Sequence, residues 1–172
     1  MIDLKKYIRG VPDFPKPGIL FYDIGTLMAN GIAWQETVSR MCDIVKEDKP
    51  DVLFAIESRG FLIASPVAAA LGIGMGMIRK KGKLPGKTTQ ITYDLEYGSD
   101  TLEIQEGLFK PGIRAMVVDD LLATGGTTKA AIALARQSGA IVTRAACVIE
   151  LSFLHGRDKL DVPVSSLLTY NT

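Results

Sequence analysis

The sequence has few of the residues that build metal clusters and disulfide frameworks. Its 172 residues include one histidine, His155, and two cysteines, Cys42 and Cys147, which lie far apart among apolar neighbours. A single histidine excludes a metal site made of several imidazoles and any catalytic arrangement that needs two of them. Two isolated cysteines favour buried thiols over a disulfide framework or a metal cluster. We therefore expect no metal held directly by protein side chains.

The chain also lacks a surplus of charge and a long apolar run. Twenty basic and nineteen acidic residues give a formal net charge of +1, which argues against attraction of the whole surface to nucleic acid or anionic lipid. No apolar stretch approaches the roughly 20 residues of a membrane-spanning helix, and the first ten residues contain no apolar signal segment. We expect a cytoplasmic protein without a nucleic-acid or membrane partner, in which any anion site is local.

Length and patterning predict one α/β domain, residues 1–172. A chain of 18.6 kDa with 47% hydrophobic residues can bury one sizeable core, but it is too short for two ordinary domains. The predicted strands are 52–56, 74–78, 114–119 and 140–151, the predicted helices are 31–49, 61–72 with a disturbance at Pro66, and 127–137, and a hairpin covers 91–106 with its turn at 98–100. This alternation predicts a mainly parallel, twisted sheet flanked by helices, with ligands at the carboxyl ends of the strands.

Residues 116–128, MVVDDLLATGGTT, join a buried strand to two acids and a glycine pair. We expect the strand to end at Val118, residues 119–126 to form a loop, and a helix to begin near Thr127. Glycines permit positive φ and close backbone approach, and the N–H groups and dipole at a helix start favour an anion. The predicted phosphate-binding residues are Ala123, Thr124, Gly125, Gly126 and Thr127.

The two acids need a partner other than phosphate, because like charges repel. Asp119 and Asp120 would accept hydrogen bonds from the vicinal hydroxyls of a ribose, or bind a cation. A sugar phosphate therefore satisfies both halves of the motif. The chain has neither the P-loop pattern GxxxxGKS/T nor GxGxxG after a strand. The alternative that remains is a helix cap followed by a turn, with Asp and Thr present for capping alone.

This stretch resembles the phosphoribosyl-diphosphate signature of the type I phosphoribosyltransferases: an apolar strand, two acids, a variable pair, then small-Thr-Gly-Gly-Thr. Other segments resemble the adenine-specific members of that family. These segments are PDFPKPGILFYDI at 12–24, ESRGF at 57–61, IRKKGKLPG at 78–86, YDLEYG at 93–98 and IELSFLHGRDKL at 149–160. The resemblance spans nearly the whole chain. It implies the type I phosphoribosyltransferase fold, with a small N-terminal hood at 1–30 and a flexible β-hairpin lid at 79–98.

The same resemblance implies a reaction and its participants. The 5-phosphoribosyl group of 5-phosphoribosyl 1-diphosphate would pass to adenine, giving AMP and pyrophosphate, with Mg²⁺ held mainly by the substrate and with a homodimer as the assembly. Asp119 and Asp120 would bind the ribose. Pyrophosphate would contact Ser58, Arg59, Arg79 and Lys83; adenine would contact Leu20, Phe21, Tyr22 and Leu151; and the catalytic residues would be Glu96, Lys83 and Arg59.

Each of these assignments has an ordinary alternative. The five basic residues within 79–90 would also suit a solvated surface loop, and Glu96 would suit a plain hairpin carboxylate. Phe21 and Leu151 could equally be core residues, because Phe and Leu side chains are most often buried. Two rival functions also remain open: a sister enzyme for another nucleobase, and a regulator that only binds phosphoribosyl diphosphate. The chain has neither the room nor the charge for a DNA-reading module or a basic RNA face.

Overall fold

A seven-stranded sheet forms the centre of the computed structural model, which describes residues 2–95 and 98–172. The elements are β1 (Arg9–Pro12), β2 (Leu20–Asp23), α1 (Gly25–Ala29), α2 (Gly31–Asp48), β3 (Val52–Ile56), α3 (Arg59–Leu71), β4 (Gly74–Lys80), β5 (Thr88–Asp94), β6 (Ser99–Gln105), β7 (Arg114–Leu122), α4 (Gly126–Gln137), β8 (Ile141–Leu151) and β9 (Val164–Tyr170). The strand order is β5-β6-β4-β3-β7-β8-β9. The four pairings from β4 to β9 are parallel, and β6 pairs antiparallel with β4 and β5. This confirms the predicted mainly parallel sheet.

Apolar cores cover both faces of the sheet. Along β3, Leu53 and Ala55 pack on one face with α2 and α3, while Phe54 and Ile56 pack on the other face with α4. Successive side chains of a strand point to opposite faces, so a strand between two helical layers buries every residue. This explains why the predicted strand at 52–56 is apolar throughout. Within the described ranges, no helix combines the length and apolarity needed to cross a bilayer.

The strand that carries the two acids is longer than predicted. β7 runs to Leu122, so Asp120 lies in the strand together with Asp119, the last residue of the predicted strand 114–119, and the predicted loop at 119–126 is wrong for residues 119–122. Pairing with β3 stops at Val118, but pairing with β8 continues as far as Leu122. The neighbouring strand thus supplies backbone partners beyond the point where the local apolar pattern ends.

Two further boundaries differ from prediction. Pro66 lies inside α3, which is continuous from Arg59 to Leu71, because Ile63 and Val67 on either side of the proline are buried against the sheet. The hairpin at 91–106 is present, but Ser99 and Asp100, which the prediction placed in its turn, lie in β6 and pair with Asp94 and Tyr93. The β1–β2 hairpin within the hood and strand β9 were not predicted.

Candidate active site

A cleft of about 530 Å³ opens beyond the carboxyl ends of β3 and β7. Its walls are the segment between β3 and α3, the end of β7, the start of α4, and the hairpin together with the end of β4. Asp119, Asp120 and the phosphate-binding residues predicted from the sequence all line it. The cleft therefore lies at the sheet edge where a parallel α/β fold binds ligands.

The glycine pair makes the turn from β7 into α4. Gly125 has a φ of +82°, in the left-handed region that side chains disfavour, and its carbonyl accepts the N–H of Lys129 at 2.9 Å. The next residues, Gly126, Thr127 and Thr128, line the cleft and form the first turn of α4. Backbone N–H groups in a first turn lack intrahelical partners. The turn thus offers donors to an anion, and phosphate binding by these residues stays a prediction.

The hairpin contacts the same turn. The hydroxyl of Tyr93 on β5 lies 3.2 Å from the hydroxyl of Thr127. Leu95, at the end of the hairpin, also lines the cleft. Glu96, the predicted acid–base residue, lies outside the described residues together with Tyr97.

The two acids have different surroundings. Asp120 is 5% exposed and forms an ion pair with the Nε of Arg59. Asp119 is partly exposed in the cleft, and its Oδ1 accepts the backbone N–H of Asp120 at 2.8 Å. Burial and, second, the negative charge of Asp120 raise the pKa of Asp119 well above its ordinary value. Any ligand that donates hydrogen bonds to this carboxylate would stabilise its charged form.

Arg59 connects the acids to the hood. Its guanidinium carbon lies 5.1 Å from the centre of the Phe21 ring, and Phe21 contacts Phe14 edge to face at 5.1 Å. Arg59 and the neighbouring Ser58 both line the cleft, and the peptide bond between Glu57 and Ser58 is cis. The predicted pyrophosphate loop and the predicted base-binding aromatic are thus in contact.

The other residues predicted to contact adenine do not gather around one point. Leu20 is half exposed on β2, and Leu151 is buried in the core beneath the hood. The side chain of Tyr22 lies on the opposite face of β2 from Phe21. It packs on Tyr170 with ring centres 4.1 Å apart, and its hydroxyl donates to a backbone oxygen of Thr172. Alternation along the strand directs this ring into the core, so the predicted contact of Tyr22 with adenine, which stays a prediction, would be made by its backbone.

The cationic residues of the lid occupy different positions. Arg79 donates to the carboxylate of Glu57 at 3.0 Å, and Lys83 is exposed outside the cleft lining. Lys80, which sequence reasoning did not select, lines the cleft and pairs with Asp100 at 3.1 Å. Neighbouring residues of a strand face opposite ways, so Arg79 and Lys80 cannot both face the cleft from β4. The sequence signal for Lys80 was its spacing: in a strand that continues past Ile78, Lys80 points to the same side as Ile78.

A buried acid organises the basic segment between β4 and β5. Glu103 on β6 is 2% exposed and accepts the backbone N–H groups of Lys83 at 2.9 Å and Leu84 at 2.8 Å, with the hydroxyl of Thr88 at 3.3 Å. Burial raises the pKa of Glu103, but the backbone donors around it outweigh burial, so that the pKa lies below its ordinary value. Sequence reasoning missed Glu103 because the segment 79–90 contains no acid of its own.

Comparison with known proteins identifies the family. The model of the phosphoribosyl transferase domain matches residues 29–169. The chain belongs to the phosphoribosyl transferase family. It is 59% identical over 171 residues to the adenine phosphoribosyltransferase of Rhodospirillum centenum, covering 99% of this chain and 100% of that protein.

Solved structures of the family agree with this fold. The crystal structure of adenine phosphoribosyltransferase from Thermoanaerobacter pseudethanolicus superposes with a TM-score of 0.94 at 42% identity, covering 97% of this chain and 98% of that one. The Saccharomyces cerevisiae enzyme, complexed with adenine and an imino-altritol bisphosphate, gives a TM-score of 0.90 at 41% identity, with 96% of each chain covered. The predicted type I phosphoribosyltransferase fold and the resemblance to its adenine-specific members are confirmed.

We expect Asp119 to lower the free energy of unfolding of the ligand-free protein while contributing to ligand binding. We expect Asp119→Asn to raise the free energy of unfolding of the ligand-free protein by about 0.5–2 kcal/mol at pH 7, because a neutral amide avoids a partly buried charge beside Asp120 and its Oδ1 still accepts the N–H of Asp120. The raised pKa means that the folded state holds the proton more tightly than the unfolded state. Stability is therefore lost as pH rises from about 4 towards the folded pKa.

Urea unfolding of wild type and Asp119→Asn across pH 3.5–8 tests this, with pH values chosen from the ordinary aspartate range upwards. The difference between the two proteins should be smallest at the acid end and grow as pH rises. An equal or lower stability of Asp119→Asn at pH 7 would contradict the expectation.

Proposed function

We propose that this chain transfers the 5-phosphoribosyl group of 5-phosphoribosyl 1-diphosphate to adenine, giving AMP and pyrophosphate, as in purine salvage. The observation that carries the proposal is the pairing of two acids at the end of β7 with a glycine turn at the start of α4, in one cleft at the carboxyl edge of the sheet. The named relatives of the chain, similar over their full length, support the choice of adenine.

The substrate has a natural orientation in this cleft. Its 5′-phosphate rests on residues 123–127, where Gly125 leaves the backbone uncovered and α4 supplies its first-turn N–H groups and dipole. The ribose diol then donates to Asp119 and Asp120. These hydrogen bonds should stabilise Asp119 most. Burial disfavours the charged form of this carboxylate, and a hydroxyl donor offsets that cost.

Arg59 is suited to link the ribose site to the leaving group. Its Nε donates to Asp120, which leaves the terminal nitrogens of the guanidinium for pyrophosphate oxygens. Ser58 lies beside it in the cleft, and Lys80 adds a cation from β4. Lys83 and Arg79 would join only if the segment between β4 and β5 shifts, because Arg79 now binds Glu57. Fixed cations at the departing diphosphate stabilise the charge that develops there.

Mg²⁺ fits this arrangement as a companion of the substrate. Among residues 2–95 and 98–172, no group of three or more His, Cys, Asp or Glu side chains gathers as metal ligands. The diphosphate oxygens would therefore provide most of the ligands, with the carboxylates of Asp119 and Asp120 nearby. The ion would supply neutralisation of the leaving pyrophosphate.

The base would lie between the hood and the hairpin. Adenine N9 attacks the anomeric carbon as pyrophosphate leaves, through an oxocarbenium-like transition state. Phe21 offers an apolar ring next to Arg59, and the backbone at Leu20 offers donors and acceptors for the purine edge. Glu96 is the residue we assign to proton transfer at the purine. The cytoplasmic location expected from the sequence stays a prediction.

One assay separates this proposal from its rivals. Purified protein is incubated with Mg²⁺, 5-phosphoribosyl 1-diphosphate and one base at a time, namely adenine, hypoxanthine, guanine, xanthine or uracil, and pyrophosphate release is followed. We expect release with adenine alone. Release with another base would indicate a sister enzyme, and binding of the diphosphate without release would indicate a regulator.

We also propose a homodimer, assembled through an apolar groove beside α3. The groove, of about 610 Å³, is lined by Met28, Trp34, Phe61, Leu62, Ser65, Pro66, Met75 and Met77. Leu62 is 46% exposed and Met77 is 37% exposed. Contiguous apolar surface of this kind commonly marks a protein interface. Phe61 in the groove also packs against the guanidinium of Arg79, one of the residues assigned to pyrophosphate.

Leu62→Glu should convert the dimer to a monomer, because it places a charge in the groove. Light scattering coupled to gel filtration measures the mass, and Leu108→Glu is the matched control, since Leu108 is also exposed but lies in the turn after β6, outside the groove. A wild-type monomer, or a dimer that persists in folded Leu62→Glu, would contradict the assignment.

A further inference from the structure

The turn at residues 155–159 packs directly on the backbone of the phosphate-binding turn. Gly156 is buried, and a Cβ atom placed on it would lie 2.1 Å from the carbonyl oxygen of Ala123 and 2.9 Å from the nitrogen of Gly125. In the reverse direction, a Cβ on Gly125 would lie 2.4 Å from the carbonyl oxygen of Gly156. Two backbones approach this closely only where both residues are glycine. The shape of the phosphate-binding turn therefore depends on where Gly156 sits.

An ion pair ties the residue after Gly156 to the sheet. Arg157 donates from Nε to Oε1 of Glu150 at 2.9 Å and from Nη2 to Oε2 at 2.6 Å. Its Nη1 donates to the carbonyl of Val164 at 2.7 Å. Glu150 is 4% exposed and also accepts the hydroxyl of Ser166 at 2.8 Å. A two-pronged contact of this kind restricts both distance and angle.

Glu150 stands at the place where the phosphate-binding turn begins. In the sheet it pairs with Leu122, the last residue of β7, and the next residue is Ala123. The chain of contacts thus runs from Glu150 to Arg157, from Gly156 to Ala123 and Gly125, and back through the β7–β8 pairing. The turn therefore contacts the sheet through the Leu122–Glu150 pair and contacts Gly156 through Ala123 and Gly125.

We propose that Arg157 and Gly156 are positioning residues for the site of the substrate's 5′-phosphate, with Arg157 acting through its contact with Glu150. Neither residue lines the cleft, so their effect reaches the ligand only through the backbone of the turn. The proposal rests on the proposed function in one respect, namely that residues 123–127 bind the phosphate of a phosphoribosyl group. A small displacement of those N–H groups weakens every hydrogen bond to the phosphate at once.

The test measures binding of ribose 5-phosphate by calorimetry, together with KM for each substrate. We expect Arg157→Gln to raise the Kd for ribose 5-phosphate by about tenfold to a hundredfold, with a parallel rise in KM for 5-phosphoribosyl 1-diphosphate and an unchanged KM for adenine. A purely structural role would lower the fraction of active protein, and hence kcat, without separating the two KM values. Arg157→Lys keeps the charge but not the two-pronged contact, so its Kd should lie between those of wild type and Arg157→Gln.

Two further variants complete the design. Arg136→Gln removes an exposed pair with Asp161 at the far end of α4, and it should leave Kd and both KM values unchanged. Gly156→Ala changes no charge and should raise Kd through the clash with Ala123, which keeps the proposal testable if Arg157→Gln does not fold. Wild-type Kd in any folded Arg157 or Gly156 variant would overturn the proposal.

Failure of this inference and failure of the proposed function give different results. Wild-type protein that makes AMP, together with variants that bind ribose 5-phosphate normally, refutes only the positioning role. Wild-type protein that binds ribose 5-phosphate but makes no AMP refutes only the proposed reaction.

Discussion

Gly125→Ala is expected to weaken binding of 5-phosphoribosyl 1-diphosphate by about 10²-fold or more, the largest loss we expect from a single methyl group in this protein. Two effects combine at this position. The φ of +82° disfavours any side chain, and the new Cβ would lie 2.4 Å from the carbonyl oxygen of Gly156. Neither backbone has room to yield without displacing the turn, so the N–H groups leave the positions that suit the phosphate. Calorimetry with ribose 5-phosphate and the KM for the diphosphate both report this loss.

Gly107→Ala is the matched control for Gly125→Ala. Gly107 has a similar φ of +76°, but a Cβ there would meet nothing within 4 Å. We expect it to lower the free energy of unfolding by about 1–2 kcal/mol while leaving ligand affinity unchanged. If Gly125→Ala bound ribose 5-phosphate as Gly107→Ala does, the turn would not be the phosphate site.

Glu96→Gln is expected to lower turnover by about 10²-fold to 10⁴-fold, the range that a positioned acid or base contributes. The amide keeps the size of the side chain but can no longer accept and return a proton. KM for 5-phosphoribosyl 1-diphosphate should change much less than turnover, because that substrate is bound by the β7 acids and the glycine turn. Steady-state kinetics at saturating adenine give both constants.

Glu106→Gln is the control for Glu96→Gln, since Glu106 is an exposed glutamate at the opposite end of the same hairpin. Its turnover should match that of wild type. Turnover of Glu96→Gln equal to that of Glu106→Gln would remove Glu96 from the chemistry. A similar loss in both variants would point instead to the hairpin as a whole.

The roles of Lys80 and Glu103 show where local patterns stop being informative. Both residues belong to segments whose strand character was partly predicted, yet neither was selected. Lys80 faces the cleft because β4 continues past Ile78 and pairs with β6. Glu103 accepts backbone N–H groups from a basic segment that lies about 20 residues earlier in the chain. Contacts across strands depend on register, and register is a property of the pairing partner as well as of the strand itself.

By itself, the sequence determined the class of the fold, the strand at 52–56, and the association of two acids with a glycine turn, because these follow from local apolar periodicity and from the backbone freedom of glycine. Only the tertiary structure decided that β7 continues through Asp120 to Leu122, that Asp120 pairs with Arg59, that Tyr22 turns into the core, and that Gly156 packs on the phosphate-binding turn. The physical reason is that each of these facts needs a partner distant in the chain, whose position is set by how strands pair and helices pack.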